Sequence, residues 1–206
     1  QSIIDISKGG FLNPTEDRNV SHMLYRDLNN SKNSDDLKEI SNQREKLSNF
    51  IKTIQEAPEN YIDTIISISI GGSRLGPELL SEVYGNPYSK IKVYYCSSYD
   101  FIELENVMSV RNPARTLVVI SSKSFNTPEV IENANKAKDW LESLVGEHCW
   151  DQIIGISSNK DGMTEFGIQE VNQFEILDSI GGRYSIWSSI SLPAIADMGW
   201  KGFEEF

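Results

Sequence analysis

Thr64-Ile65-Ile66-Ser67-Ile68-Ser69-Ile70 is followed directly by Gly71-Gly72-Ser73-Arg74-Leu75-Gly76-Pro77. The first seven residues are short, apolar and β-branched, and a glycine-rich turn ends them, which reads as a strand running into a helix. The same pattern returns at Lys92-Val93-Tyr94-Tyr95-Cys96, at Thr116-Leu117-Val118-Val119-Ile120 and at Gln152-Ile153-Ile154-Gly155-Ile156. Phe174-Glu175-Ile176-Leu177 reads as a fifth strand, and helical stretches are expected at about 76–84, 100–109, 128–145, 161–166 and 186–198. Strands of this kind alternating with helices imply a parallel sheet covered on both faces. The expected fold class is therefore α/β, with a parallel five-stranded sheet flanked by helices.

Upstream, residues 1–14 read as an irregular lead-in, and Pro14-Thr15-Glu16-Asp17 as a helix start with Thr15 at the N-cap and acids in the first turn. After the polar stretch Asn29–Ser34, Leu37, Ile40, Leu47, Phe50, Ile51 and Ile54 recur on one face of a long helix that Ala57-Pro58 ends. The expected division is an N-terminal helical extension over 1–57 and one α/β domain over 58–206.

Composition narrows the function classes. The 206 residues are enough to bury about 70% of the unfolded surface without disulfide staples. A formal net charge of −11 argues against nucleic acid or an anionic membrane as partner. No apolar stretch approaches the roughly 18 residues of a membrane span, and no signal peptide opens the chain. Cys96 and Cys149 are too few and too far apart for a disulfide framework or a zinc knuckle, and His22 and His148 make no metal cluster with them. No metal and no cofactor are expected, and a cytoplasmic location is. Residue 1 is Gln rather than Met, so a processed product or a fragment is expected. The aromatic tail Trp200–Phe206 would be exposed if the chain stopped there.

In open parallel sheets, ligands bind beyond the carboxyl ends of the strands. Three segments lie at such ends. In Gly71-Gly72-Ser73, the glycines let the backbone approach a ligand and Ser73 offers a hydroxyl; a plain glycine-rich turn explains the same residues. Neither GxxxxGK[ST] nor GxGxxG is present, so nucleotide and dinucleotide sites lack their fingerprints. In Ser122-Lys123-Ser124-Phe125-Asn126-Thr127-Pro128-Glu129, three hydroxyls and one cation precede a helix start with Thr127 at the N-cap. That is a phosphate cradle, or else a capped loop with a solvated lysine. In Asp178-Ser179-Ile180-Gly181-Gly182-Arg183, a glycine turn sets one guanidinium at a cleft or on the surface.

Together these segments resemble the glucose-6-phosphate isomerase (phosphoglucose isomerase) family: Ile70-Gly71-Gly72-Ser73 with Leu75-Gly76-Pro77, then Ser122-Lys123 with Phe125 and Thr127, then Gly181-Gly182-Arg183-Tyr184-Ser185. Thr15-Glu16-Asp17-Arg18 with Val20 and His22, and Glu165-Phe166-Gly167-Ile168, also resemble family segments, in order and at similar gaps. The resemblance implies a sugar-isomerase (SIS) type, flavodoxin-like three-layer sandwich. It implies reversible isomerisation of glucose 6-phosphate to fructose 6-phosphate in glycolysis and gluconeogenesis, in a homodimer without cofactor. Gly72, Ser73, Ser122, Lys123, Ser124 and Thr127 would bind substrate phosphate, and Arg183 would stabilise an enediolate-like intermediate. Gly182 and Glu129 would stand at the site edge, as would His22 unless it is structural. Ser124 stands where the family often has threonine, Pro128 where it often has glutamine, and Arg74 where many members carry an acid. Members are much longer, and the glutamate base and the ring-opening His and Lys of the family come after the region ending at Phe206. Two further readings of the residues are a non-catalytic phosphosugar-sensing module, which would not need the glycine-arginine turn, and a flavodoxin-like nucleotide or flavin binder.

Overall fold

The computed structural model describes residues 12–13, 18–19, 21–26, 35–58 and 62–206. In chain order its strands are β1 (Leu12–Asn13), β2 (Arg18–Asn19), β3 (Thr64–Ser69), β4 (Lys92–Cys96), β5 (Thr116–Ser121), β6 (Ile153–Ser157) and β7 (Gln173–Glu175). Its helices are α1 (Asp35–Glu56), α2 (Gly72–Tyr84), α3 (Ile102–Met108), α4 (Pro128–Val145), α5 (Lys160–Phe166), α6 (Leu192–Met198) and α7 (Trp200–Glu205). β1 and β2 pair antiparallel. The helix start read at Thr15 lies outside the described residues, and Arg18–Asn19, which would have continued that helix, are strand instead.

The other strands form one all-parallel sheet in the order β4-β3-β5-β6-β7. All six residues of β3 and all six of β5 are buried. Strand alternation sends Ile65, Leu117, Val119, Ile154 and Ile156 to one face, where α1, α6 and Phe203 cover them. Ile66, Ile68, Val118, Ile120 and Ile153 go to the other, under α4 with Leu104 and Met163. With helices on both sides neither face can be polar, which is why the strands read as apolar runs. Each fully buried isoleucine contributes about 1.5–3 kcal/mol to stability. α1 puts Leu47, Ile51 and Ile54 into the core of one face. Among the described residues no helix is long and apolar enough to cross a membrane.

The chain leaves β3 through α2 to β4 on one side, then returns to β5 on the other. Strand order therefore reverses between β3 and β5, and such a reversal opens a crevice at their carboxyl ends. The first two candidate segments leave the sheet there.

Three expectations need correction. The helix expected from 76 begins at Gly72, opened by the Gly71 carbonyl, which accepts from Arg74 N at 3.1 Å and Leu75 N at 2.9 Å. The poor helix propensity of glycine hides this start. Pro77 thus sits inside the helix, where its missing N–H leaves the Ser73 carbonyl without the usual donor four residues on. The helix expected over 186–198 is broken into 3-10 turns at 182–187 and 189–191 before α6. Serine hydroxyls compete for the backbone there: Ser185 Oγ, Ser188 Oγ and Ser191 Oγ each donate to a carbonyl at 2.6 Å. The tail aromatics are packed rather than exposed: Phe203 lies in the core, and Phe206 stacks on Trp187 at 5.9 Å.

Candidate functional site

After β3 the chain turns at Gly71, whose φ of +60° is a conformation that side chains other than glycine's rarely adopt. A Cβ there would meet nothing within 4 Å. At Gly72 a Cβ would lie 2.3 Å from the Gly182 carbonyl carbon and 2.5 Å from Arg183 N. The close backbone approach expected of a ligand is therefore made, at Gly72, by the third segment. That segment is held by Ser185 Oγ on the Gly182 carbonyl at 2.6 Å and by Tyr184 N on the Gly181 carbonyl at 2.9 Å. Ser73 is half-buried and Arg183 exposed. Among the described residues neither side chain has a hydrogen-bond or ion-pair partner, so both are available to a ligand.

The 3-10 turn 22–25 braces this region. The His22 ring stacks on Tyr184, with centroids 4.5 Å apart and planes at 14°, and the Arg26 guanidinium lies over Trp187 at 4.9 Å. Leu24 and Tyr25 share a buried cluster with Leu177 and Ile180, the residues on either side of Asp178-Ser179. Burial lowers the His22 pKa. His22 thus stands beside the residue that follows Arg183, as a packing group.

The second segment is held differently. The Lys123 carbonyl accepts from Ser157 Oγ at 2.8 Å, Ser158 Oγ at 2.9 Å and Ser158 N at 3.1 Å. Asn159 Nδ2 donates to the Ser124 carbonyl at 2.9 Å, while Asn159 Oδ1 caps α5 by accepting from Gly162 N. Phe125 bends the loop with a φ of +50°. Such a non-glycine conformation costs on the order of 1 kcal/mol. Its buried ring, set edge-on to Phe166 at 5.9 Å, offsets that cost. Pro128 opens α4 as expected and Thr127 occupies the N-cap, but the Thr127 hydroxyl makes no cap bond. It pairs with Ser122 Oγ at 3.0 Å. Ser122 is buried, so the loop presents Lys123, Ser124 and Thr127 outward, with the Ser124 hydroxyl bonded to Asn126. Glu129 lies half-buried in the first turn of α4. Lys123 Nζ reaches to 3.6 Å from Asp178 Oδ1, in the third segment.

The third segment therefore touches both others, the first through Gly182-Arg183 and the second through Asp178. Arg74 does not join these contacts. Its guanidinium is committed to Glu78 at 2.9 Å, to Glu103 at 3.2 Å and to Ser97. The Glu78 hydrogen bond, then the charges of Glu78 and Glu103, hold the Arg74 pKa up. Burial alone would raise the Glu103 carboxyl, but the N–H groups of Ser97 and Ser98 and the Arg74 charge hold it below its ordinary value. Both cysteines are buried; burial pushes the Cys96 thiol up to about 12 and raises Cys149 as well, which removes them as nucleophiles. A cavity of about 460 Å³ lies elsewhere, between α2 and the edge strand β4, lined by Ser81, Glu82, Tyr95 and Asp197 among others. None of the expected site residues lines it.

Sequence reasoning passed over Ser157, Ser158 and Asn159, which clamp the lysine loop from the next strand. The available signal was their position: a Ser-Ser-Asn run at a strand's carboxyl end, just before a capped helix.

A family model described as phosphoglucose isomerase matches residues 2–206. The glucose-6-phosphate isomerase of Aspergillus oryzae is 35% identical over 213 residues, which cover 97% of this chain and 38% of that protein. The Helicobacter pylori (strain HPAG1) enzyme of that name is 33% identical, covering 95% and 38%. That of Acinetobacter baylyi is 34% identical, covering 95% and 37%. The chain thus spans about 38% of the length of the curated relatives it matches. Among solved structures, a glucose-6-phosphate isomerase from Chlamydia trachomatis superposes with a TM-score of 0.84 at 22% identity, over 98% of this chain and 40% of that one. A hypothetical protein from Thermus thermophilus gives 0.68, also at 22% identity, over 87% and 40%. At that identity the two structures speak to the fold.

Proposed function

Because the chain belongs to the phosphoglucose isomerase family, we propose that it is the phosphate-binding portion of a glucose-6-phosphate isomerase. The reaction is the reversible conversion of glucose 6-phosphate to fructose 6-phosphate. The observation that carries this reading is the junction of three loops, with Gly72 against Gly182-Arg183 and Lys123 beside Asp178.

In this reading Lys123 meets the phosphate dianion as a cation on a clamped backbone, and the Thr127 and Ser124 groups offer hydrogen bonds beside it. Ser122 acts from below by orienting Thr127. Gly72 and Ser73 line the opposite wall. Arg183 supplies a fixed positive charge where an oxyanion develops as the proton passes from C2 to C1 through a cis-enediol, and charge placed in advance is what stabilises such a transition state. Gly182 and Glu129 stand at the site edge. Isomerisation also needs a general base, and by the family resemblance that glutamate comes after the region ending at Phe206. The chain by itself is therefore expected to turn over little or no substrate. A SIS-type domain over 58–206 with a helical extension over 1–57, a homodimer of the whole enzyme, a cytoplasmic location, a place in glycolysis and gluconeogenesis, and no nucleic-acid or membrane partner belong to the same reading.

The test is calorimetric titration of the 206-residue chain with glucose 6-phosphate, fructose 6-phosphate and glucose, repeated on Lys123→Ala. Binding that requires the phosphate and is lost in Lys123→Ala supports the reading. Equal binding of glucose, or binding indifferent to Lys123, contradicts it.

A further inference from the structure

The Lys123 backbone has little freedom, because its carbonyl accepts three hydrogen bonds from Ser157 and Ser158. The backbone around Asp178 is held as well: Leu177 and Ile180 are buried, and Ile176 N donates to the Ser157 carbonyl at 3.0 Å. Two anchored loops thus present one ammonium and one carboxylate to each other at 3.6 Å, with Ser158 Oγ also 3.4 Å from the carboxylate. The backbone bonds leave the two side chains as the parts that can move.

Resting on the phosphate-site reading above, we infer that Asp178 is a positioning residue that competes with the sugar phosphate for Lys123. In the free chain it holds the ammonium against the third segment. A phosphate dianion that takes Lys123 must displace this carboxylate, since two anions sharing one cation at such distances repel each other. The pair is partly exposed, with the lysine side chain at 26% and the aspartate at 61%. An exposed pair of this kind is weak, so the competition lowers phosphate affinity by a factor of about two to five. Asp178 therefore keeps Lys123 aimed at the price of some affinity.

Two readouts test this. In the first, the ligand-free chain is treated with a limiting amine-acylating reagent, and Lys123 modification is measured by mass spectrometry against the exposed Lys201. Asp178→Asn should raise Lys123 modification about two- to fivefold, because the side chain is then no longer held against the third segment by its counter-ion. Asp178→Glu should stay near the unaltered chain. Unchanged modification in Asp178→Asn overturns the proposal. In the second, inorganic phosphate and glucose 6-phosphate are titrated into the unaltered chain, Asp178→Asn, Lys123→Ala and the double variant. Asp178→Asn should tighten both ligands about two- to fivefold, and should change nothing when Lys123 is already alanine. Unchanged or weakened binding in Asp178→Asn overturns the competition. So does absence of binding in both the unaltered chain and Asp178→Asn. The labelling then separates the causes: a changed Lys123 places the fault with the phosphate-site reading, and an unchanged one with the ion pair.

Discussion

The loops after β3 and β5 leave neighbouring strands at the same end of the sheet, yet they are held by opposite means. The first is held by the absence of side chains: Gly72 lets its backbone meet Gly182-Arg183 with no room for a Cβ. The second is held by side chains, with Ser157, Ser158 and Asn159 bonded to the backbone of Lys123 and Ser124 and a buried Phe125 ring anchoring a left-handed bend. A steric fit of backbone on backbone fails all at once, whereas a set of hydrogen bonds weakens one bond at a time. The two loops should therefore respond differently to substitution.

The sharpest contrast lies within the glycine contact itself. Gly72→Ala should destabilise the fold toward the upper end of roughly 1–3 kcal/mol, because the intruding atom meets backbone that cannot rotate away. Gly182→Ala should cost far less, since its Cβ would lie 4.0 Å from Gly72 Cα, an ordinary contact. Urea unfolding of both variants decides this, and equal losses would break the comparison.

In the lysine loop, Lys123→Ala should weaken glucose 6-phosphate at least about tenfold while stability moves by less than about 1 kcal/mol, because a partly exposed pair adds little to folding. Calorimetry and thermal melts on one sample measure both. Ser157→Ala removes one of the three donors to the Lys123 carbonyl and the acceptor of Asn159 N. A loss of about 0.5–1.5 kcal/mol is expected, with phosphate affinity reduced but present. Complete unfolding of Ser157→Ala would show that the second loop is as brittle as the first.

The smallest effect concerns the brace over the first and third segments. Burial lowers the His22 pKa in the folded chain, so the unfolded chain binds the proton more readily. The stability that neutral His22 contributes is complete above its unfolded pKa, near 6.5, and is lost as pH falls from there toward the lowered folded value. Melting temperature should therefore drop slightly more between pH 7 and pH 5 for the unaltered chain than for His22→Gln.

Much of the fold is legible because its signals are local. The β-branched run that begins at Thr64, and its repeats at 116–120 and 153–156, need only neighbouring residues to declare a buried strand. The expected helix over 128–145 is observed with the same ends, since Pro128 marks its start and Gly146, at φ +66°, its stop. The failures have equally specific causes. Gly72 conceals a helix start because its role is set by a contact with Gly182, far along the chain. The stretch 182–191 has helical spacing, but its serine hydroxyls bond back to the backbone. The candidate site shows the same division. Lys123 and Arg183 stand out by residue type and position, whereas the clamp from Ser157 and Ser158 depends on β5 and β6 being neighbours in the sheet.

That three separate loops form one binding site is the central claim. Titration of the isotopically labelled chain with glucose 6-phosphate, followed by backbone amide chemical shifts, tests it most directly. The amides of Gly72, Ser73, Lys123, Ser124, Thr127 and Arg183 should move together along one binding curve, while those of Ser81, Glu82 and Asp197 at the α2–β4 cavity stay still. Shifts confined to that cavity, or to only one of the three loops, would contradict it.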